Sequence, residues 1–299
     1  MAALPSEAAT PSVPIAAAVM AEEPARSRRG WVHSLDLYIP AGVLVLLLLA
    51  CFVWPLVYKL PPPVGGSILD ASLPLGSPGH ILGTDSVGND IMSRLLYGGR
   101  VSFEVMFAVQ GIGLVVGGFI GVAAASFSGL AEATVMRVLD VLIAFPAIVI
   151  ALAIVDGLGA GEADIIWALA VVSIPTFARV ARSGAVRVRD QTFVVAARLS
   201  GSKRWRTNLR HVLPNILPQL ITFAVLGAAI VVILEATISF FGYGIPPPGP
   251  SWGNMIAAGQ QVMSNEPALL LVPSIVLLVT VVALNTLSEA LRARWGVVR

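Results

Sequence analysis

The sequence predicts an all-α integral membrane protein of about six transmembrane helices, and three observations carry that prediction. Hydrophobic residues fill 57% of the 299 positions and charged residues only 12%, about half of the roughly one-quarter usual in soluble domains. The apolar residues come in blocks rather than stripes. The first block, Leu37–Val57, carries no charge and is long enough for the roughly 20 residues that a bilayer core demands. Lys and Arg are also placed very unevenly between alternate loops, which is the signature that orients a multi-span chain.

Taken in order, residues 1–30 read as a disordered cytoplasmic tail. Their short apolar stretch, Ile15–Ala21, precedes the cluster Arg26, Arg28 and Arg29, the reverse of a secretory signal, in which charge comes first. Residues 31–58 form the first span. Further apolar blocks lie at Val101–Phe127, Val135–Val155, Ile165–Ala178, Val212–Leu234 and Leu269–Leu287, giving a five-helix core over residues 99–290 and a cytoplasmic tail at 291–299. With the N-terminus inside, sixteen of the nineteen Lys and Arg residues fall on the cytoplasmic side, so both termini are expected there. The lone cysteine, Cys51, excludes an internal disulfide and a thiolate metal site.

Two outer segments are long. Residues 59–98 open with Pro61-Pro62-Pro63 and Gly65-Gly66, an irregular start. They end in Asp90–Tyr97, which reads as a short amphipathic helix at the outer membrane surface. Ile91, Leu95 and Leu96 share one face there, and Asp90 and Arg94 form an i,i+4 pair. Residues 237–267 contain Phe240-Phe241-Gly242-Tyr243-Gly244 and Pro246-Pro247-Pro248, which cannot be regular helix.

The inner loop at residues 183–211 is longer than a turn between helices requires. Asp190 or Thr192 is placed to cap a short helix over Phe193–Ser200, and Gly201 fits the left-handed position that ends one. Ser202 is placed to cap a second helix, with Trp205, Leu209, Val212 and Leu213 on one face and Pro214 at the start of the next span. Two readings of this basic helix–turn–helix stand on spacing alone. The small side chains of Ala196 and Ala197 suit insertion into a partner's groove, and the arginines suit anchoring on anionic lipid head groups.

Val195-Ala196-Ala197-Arg198-Leu199-Ser200-Gly201, followed by His211-Val212-Leu213-Pro214-Asn215, resembles the EAA loop of ABC-importer permeases, with Val195 where that pattern has Glu. Other segments resemble the C-type permeases of the dipeptide/oligopeptide/nickel importers. They are Leu82-Gly83-Thr84-Asp85, Gly88-Asn89-Asp90 (Asn89 where the family usually has Arg), Ser93–Gly98, Met136–Asp140, Ala144-Phe145-Pro146, Leu234-Glu235-Ala236 and Pro247–Met255. The resemblance covers roughly residues 80–295. It implies a type I importer permease fold in a bacterial plasma membrane, carrying peptides or related small solutes. It implies that Phe193, Val195, Ala196, Ala197, Arg198, Gly201 and Ser202 belong to a coupling helix that docks on an ATPase. The implied partners are a second, B-type permease, two ATP-binding subunits that hydrolyse Mg-ATP, an extracytoplasmic solute-binding protein and membrane lipid. No cofactor and no nucleic acid is expected on this chain.

Charges inside the spans are costly and need partners. Asp140 and Glu235 are open to two readings, as residues of the solute path or gate, or as structural groups. The structural reading holds Asp140 by Arg137 or backbone donors near the inner surface and wets Glu235 at the outer end of span five. Arg100 and Glu104 are placed as an i,i+4 pair. Gly113, Gly117 and Gly121 form a small-residue stripe for close helix packing, within the chain or against a second permease. Pro146 and Pro175 are expected to kink their spans. A membrane enzyme is disfavoured: His33, His80 and His211 lie outside the spans, and HExxH and GxSxG patterns are absent. A GxxxxGK[ST] loop is also missing, so any ATP chemistry belongs to another chain. The rival reading is a secondary transporter or channel without ATP coupling; the internal repeats common in secondary transporters are not evident here.

Overall fold

The computed structural model describes residues 32–296 apart from Lys59 and Ser128; the expected tail at 1–30 lies outside them. Five helices are long and apolar enough to cross a membrane, and a bent pair supplies a sixth span. They are α1 (Val32–Phe52, extended by the turn Trp54–Val57), α2 (Ile91–Ser126), the pair α3 (Leu130–Ile143) and α4 (Ala147–Leu158), α5 (Glu162–Arg189), α7 (Arg204–Phe240) and α9 (Pro267–Arg294). Two shorter helices complete the order, α6 (Thr192–Leu199) between α5 and α7, and α8 (Trp252–Gln261) before α9.

Five boundaries differ from the sequence reading. The amphipathic stretch at residues 90–97 is not a separate surface helix but the first two turns of α2. Gly98-Gly99 does not break it, because those glycines are where other backbone and rings approach: a side chain at Gly98 would press on Ser251, and one at Gly99 on Cys51 and Trp252. The span read over Val135–Val155 is two half-helices bent by 83°. Pro146 has no N–H to continue the ladder and itself stands at φ −57°, ψ 129°, outside the helical region, so the chain breaks at Ala144–Pro146 and restarts. By contrast, α5 carries Pro175 without breaking and runs to Arg189, so the inner loop begins at Asp190 rather than 183.

The second loop helix is likewise continuous with its span. The helix begins at Arg204, widens into a π turn at Asn208–Val212 and continues from Leu213. Pro214 cannot donate to the carbonyl four residues back, and the wider turn sits where that bond is missing. Ser202 does not cap this helix; its N-cap is Lys203, without a side-chain bond. At the C-terminus, residues 291–294 belong to α9 rather than to a tail.

The glycine stripe packs within the chain. Side chains added at Gly113, Gly117 and Gly121 would collide with Ser173 and Phe177, with the Ile174 carbonyl, and with the Ala178 carbonyl, all on α5. Close backbone approach of this kind is how membrane helices associate without a hydrophobic driving force. One buried cluster joins Phe103, Val105, Ile165, Leu169, Ile238 and Trp252, and a second joins Phe177, Val194, Val212, Ile216 and Leu220 at the opposite end. Leu46, Leu49, Ile275 and Leu278 on α1 and α9 remain exposed, as expected of surfaces meeting lipid. The start of α1 and the end of α9 line one groove, so the two ends of the described chain emerge at the same face.

Candidate functional site

The loop between α5 and α7 is built around one anchor. Val194 is fully buried, packed in the cluster with Val122, Ala125, Ala185 and Val212. Phe193 leans toward the ring of His211, 6.4 Å away between centroids. The expected caps at Asp190 and Thr192 are not used: the N-cap is Gln191, extended and without a side-chain bond. The other end closes as expected. Gly201 sits at φ 80°, its N–H donates to the Arg198 carbonyl at 3.0 Å, and the Ser202 N–H donates to the Ala197 carbonyl at 3.1 Å. This is a Schellman end, and it requires a left-handed residue where glycine is least strained.

With Val194 turned inward, the stripe Thr192, Val195, Ala196 and Leu199 is turned outward at i, i+3, i+4, i+7 spacing. Leu199 is 84% exposed. Arg198 and Ser200 flank the stripe, exposed, and Ala197 is half-buried. A short helix with one pinned face and one bare apolar face is what insertion into a partner's groove requires. The sequence reading missed Leu199 and Val194, although the 3.6-residue period of the apolar positions marks both.

It also missed how the loop is held. Arg189 donates to the Ala125 carbonyl at 3.0 Å and Arg204 to the Ser126 carbonyl at 3.3 Å, while Asn208 donates to Ser126 Oγ at 2.5 Å. Two arginines on either side of α6 therefore satisfy the orphan carbonyls at the end of α2, where a helix terminus favours positive charge. Spacing alone could not reveal this, since the residues lie 64 to 82 positions apart.

The two candidate path residues separate. Asp140 is paired with Arg179 of α5 rather than with Arg137, at 2.5 Å, and the two side chains are 50% and 52% exposed. A second rung joins Glu132 to Arg182 at 2.6 Å. Glu235 is not wetted at the end of its helix. It is fully buried, accepting from Ser102 Oγ at 2.7 Å and from Ser239 Oγ at 2.8 Å, and so ties α2 to α7. The Arg100–Glu104 pair forms at 2.8 Å.

At the end of the bundle opposite α6 the chain closes on itself. Asp90 does not pair with Arg94; it caps α2 through Ser93 N–H at 2.7 Å and meets His80 Nδ1 at 2.8 Å. Arg94 instead lies 3.6 Å from Asp85 and donates to the carbonyls of Pro63 and Pro248 at 3.1 and 3.3 Å. Asn89 donates to Asp85 and accepts from Gly66 N–H. Trp252, fully buried, donates to the Leu95 carbonyl at 3.0 Å. Ser251 and Asn254 cap α8 reciprocally, and Asn254 also holds the Gly249 carbonyl.

Spans closed on themselves at one end, with a short helix that bares an apolar face at the other, define a polytopic membrane protein. The chain belongs to the family of binding-protein-dependent transport system inner membrane components, whose family model matches residues 113–296. It is 36% identical to the glutathione transport system permease protein GsiD of Pectobacterium atrosepticum over 256 residues, 85% of this chain and 84% of that one. It is 35% identical to the dipeptide transport system permease protein DppC of Alkalihalophilus pseudofirmus over 214 residues, 71% and 70% of the two chains. A putative peptide transport system permease protein of Brucella suis is 38% identical over 213 residues. The fold is similar to a chain of the MetNI methionine ABC transporter in an inward facing conformation, with a TM-score of 0.57 at 18% identity over 70% of this chain and 98% of that one. The resemblance to the peptide-importer permeases read from the motifs is thereby borne out, as is an integral, multi-pass place in a bacterial inner membrane.

Proposed function

We propose that this chain is one permease of a heteromeric, ATP-driven importer of peptides or related small solutes. It lines half of the solute path together with a second, B-type permease, and two ATP-binding subunits dock on α6. Those subunits hydrolyse Mg-ATP, and this chain contributes no catalytic residue. An extracytoplasmic binding protein delivers solute to the closed outer face, and both termini lie in the cytoplasm. The observation that carries the reading is the bare stripe Val195, Ala196 and Leu199 on a helix pinned from behind by Val194. Val195 in place of the Glu of the resembling loops leaves docking to shape and apolar contact, flanked by Arg198 and Lys203.

Closing of the two ATPases would carry α6 with them, and through the Arg189 and Arg204 bonds would move α2, α5 and α7 together, a rigid-body change of access. Relatives named for glutathione and dipeptide transport support short peptides as the solute class. The test is a mild-detergent pulldown of the tagged chain from its native membrane, wild type beside Leu199→Asp. Recovery of a second permease with both variants, and of ATPases with the wild type only, is the expected result. A chain that purifies alone and moves solute into vesicles without ATP would sink the reading in favour of a secondary transporter.

A further inference from the structure

A groove of about 1020 Å³ runs along the outside of the bundle between the first half of α1 and the last half of α9. Leu35, Ile39, Val43, Leu278, Val279 and Val282 form its apolar walls, and Asp36, Glu289 and Arg294 stand at one end. Among the described residues none of these three charged groups has an ion-pair partner. From Leu278 to Arg294 the helix covers about 24 Å at 1.5 Å per residue. One leaflet, head groups included, is about 20–22 Å deep. The groove therefore has the depth of a single leaflet, with its charges at head-group level beside Trp295, a residue type that favours that interface.

We propose that this groove is a binding site for one phospholipid of the inner leaflet bearing a zwitterionic, primary-amine head group. Its acyl chains fill the apolar length, its ammonium is received by Asp36 and Glu289, and its phosphate by Arg294. The charge pattern selects the head group. Two carboxylates and one guanidinium repel a net anionic lipid, whereas a zwitterion supplies a counter-charge to both signs. A quaternary ammonium offers no N–H donor to the carboxylates, so a choline head group loses the charge-assisted hydrogen bonds that a primary amine makes.

The test is lipid content rather than transport, so its failure and the failure of the transport reading are separable. The assembled transporter would be purified in mild detergent and its retained lipid measured by native mass spectrometry. Phosphatidylethanolamine is expected to be retained in preference to phosphatidylglycerol and phosphatidylcholine. Asp36→Asn with Glu289→Gln removes both negative partners of the ammonium while keeping neutral acceptors, and should lower that retention by about tenfold or more. Val282→Trp, which fills the groove, should abolish it while the other subunits still co-purify. A photo-crosslinker at position 282 should label lipid. Retention in the proportions of the bulk membrane, unchanged in these variants, would overturn the proposal, as would a crosslink from position 282 to a polypeptide.

Discussion

At the end proposed to face outward, residues 60–99 and 241–256 close on one another: Arg94 reaches two loops, Trp252 reaches across to α2, and Ser251 and Asn254 cap each other. At the end proposed to face inward, residues 191–203 have one buried anchor, Val194, and turn Leu199 and Val195 outward with nothing over them. Buried polar groups must be satisfied inside the chain, or they cost the full desolvation penalty. Apolar groups left bare at a water-facing surface mark a place for another protein. The end around Trp252 thus satisfies most of its buried polar groups within one chain, Ser93 Oγ excepted, whereas the proposed docking helix leaves its apolar face for another chain.

The largest expected effect breaks the outer end. Trp252→Ala removes a fully buried ring and leaves the Leu95 carbonyl without its donor, costing about 3–5 kcal/mol. Thermal unfolding in detergent should show it, and an unchanged midpoint would mean that the outer closure contributes little. Next comes Leu199→Asp, expected to leave that midpoint within experimental error while weakening ATPase docking by about 2 kcal/mol or more, on the scale of an interface hot spot. Unfolding by Leu199→Asp would instead show that the bare helix is part of the chain's own fold.

Glu235 sharpens the contrast from within the bundle. Glu235→Leu leaves the Ser102 and Ser239 hydroxyls buried without an acceptor, at about 1–3 kcal/mol. Glu235→Gln keeps one carbonyl oxygen and should recover most of that loss; equal losses in the two variants would show that the hydroxyl bonds are not what matters. The smallest effect is expected at Asp140 and Arg179, both half exposed. A double-mutant cycle with Asp140→Asn and Arg179→Gln on the isolated chain should give a coupling below about 1 kcal/mol. A larger coupling in the isolated chain would rule out the exposed, screened pair seen here.

The spans were legible because membrane helices announce themselves by block composition, and the end of α6 because Gly201 takes the left-handed position its sequence suggests; the caps read at Asp190, Thr192 and Ser202 do not form. The glycine stripe pointed to close packing, and its partner on α5 emerged only in three dimensions. What misled was punctuation. The amphipathic stretch at residues 90–97 read as a separate helix and runs on through Gly98-Gly99, which form a packing seam, whereas Pro146 breaks its span and α5 runs through Pro175. Arg94, Asn208 and Glu235 found partners far along the chain, and i,i+4 spacing could assign Arg94 only to the wrong acid. Long-range hydrogen bonds leave no periodic trace in a single sequence.

The unbroken course of α7 has a mechanical consequence. Its 37 residues make a rod about 55 Å long, with α6 at one end and the Glu235 tie and the proline-rich turn at the other. A tilt of about 5° at the inner end moves Phe240 by about 5 Å over that length, enough to lift one segment off another. The rod needs no chain of intermediate contacts to signal across the bilayer. Its one widened turn, Asn208–Val212, lies near the driven end, so any bending there acts over nearly the whole rod and subtracts the most travel from Phe240.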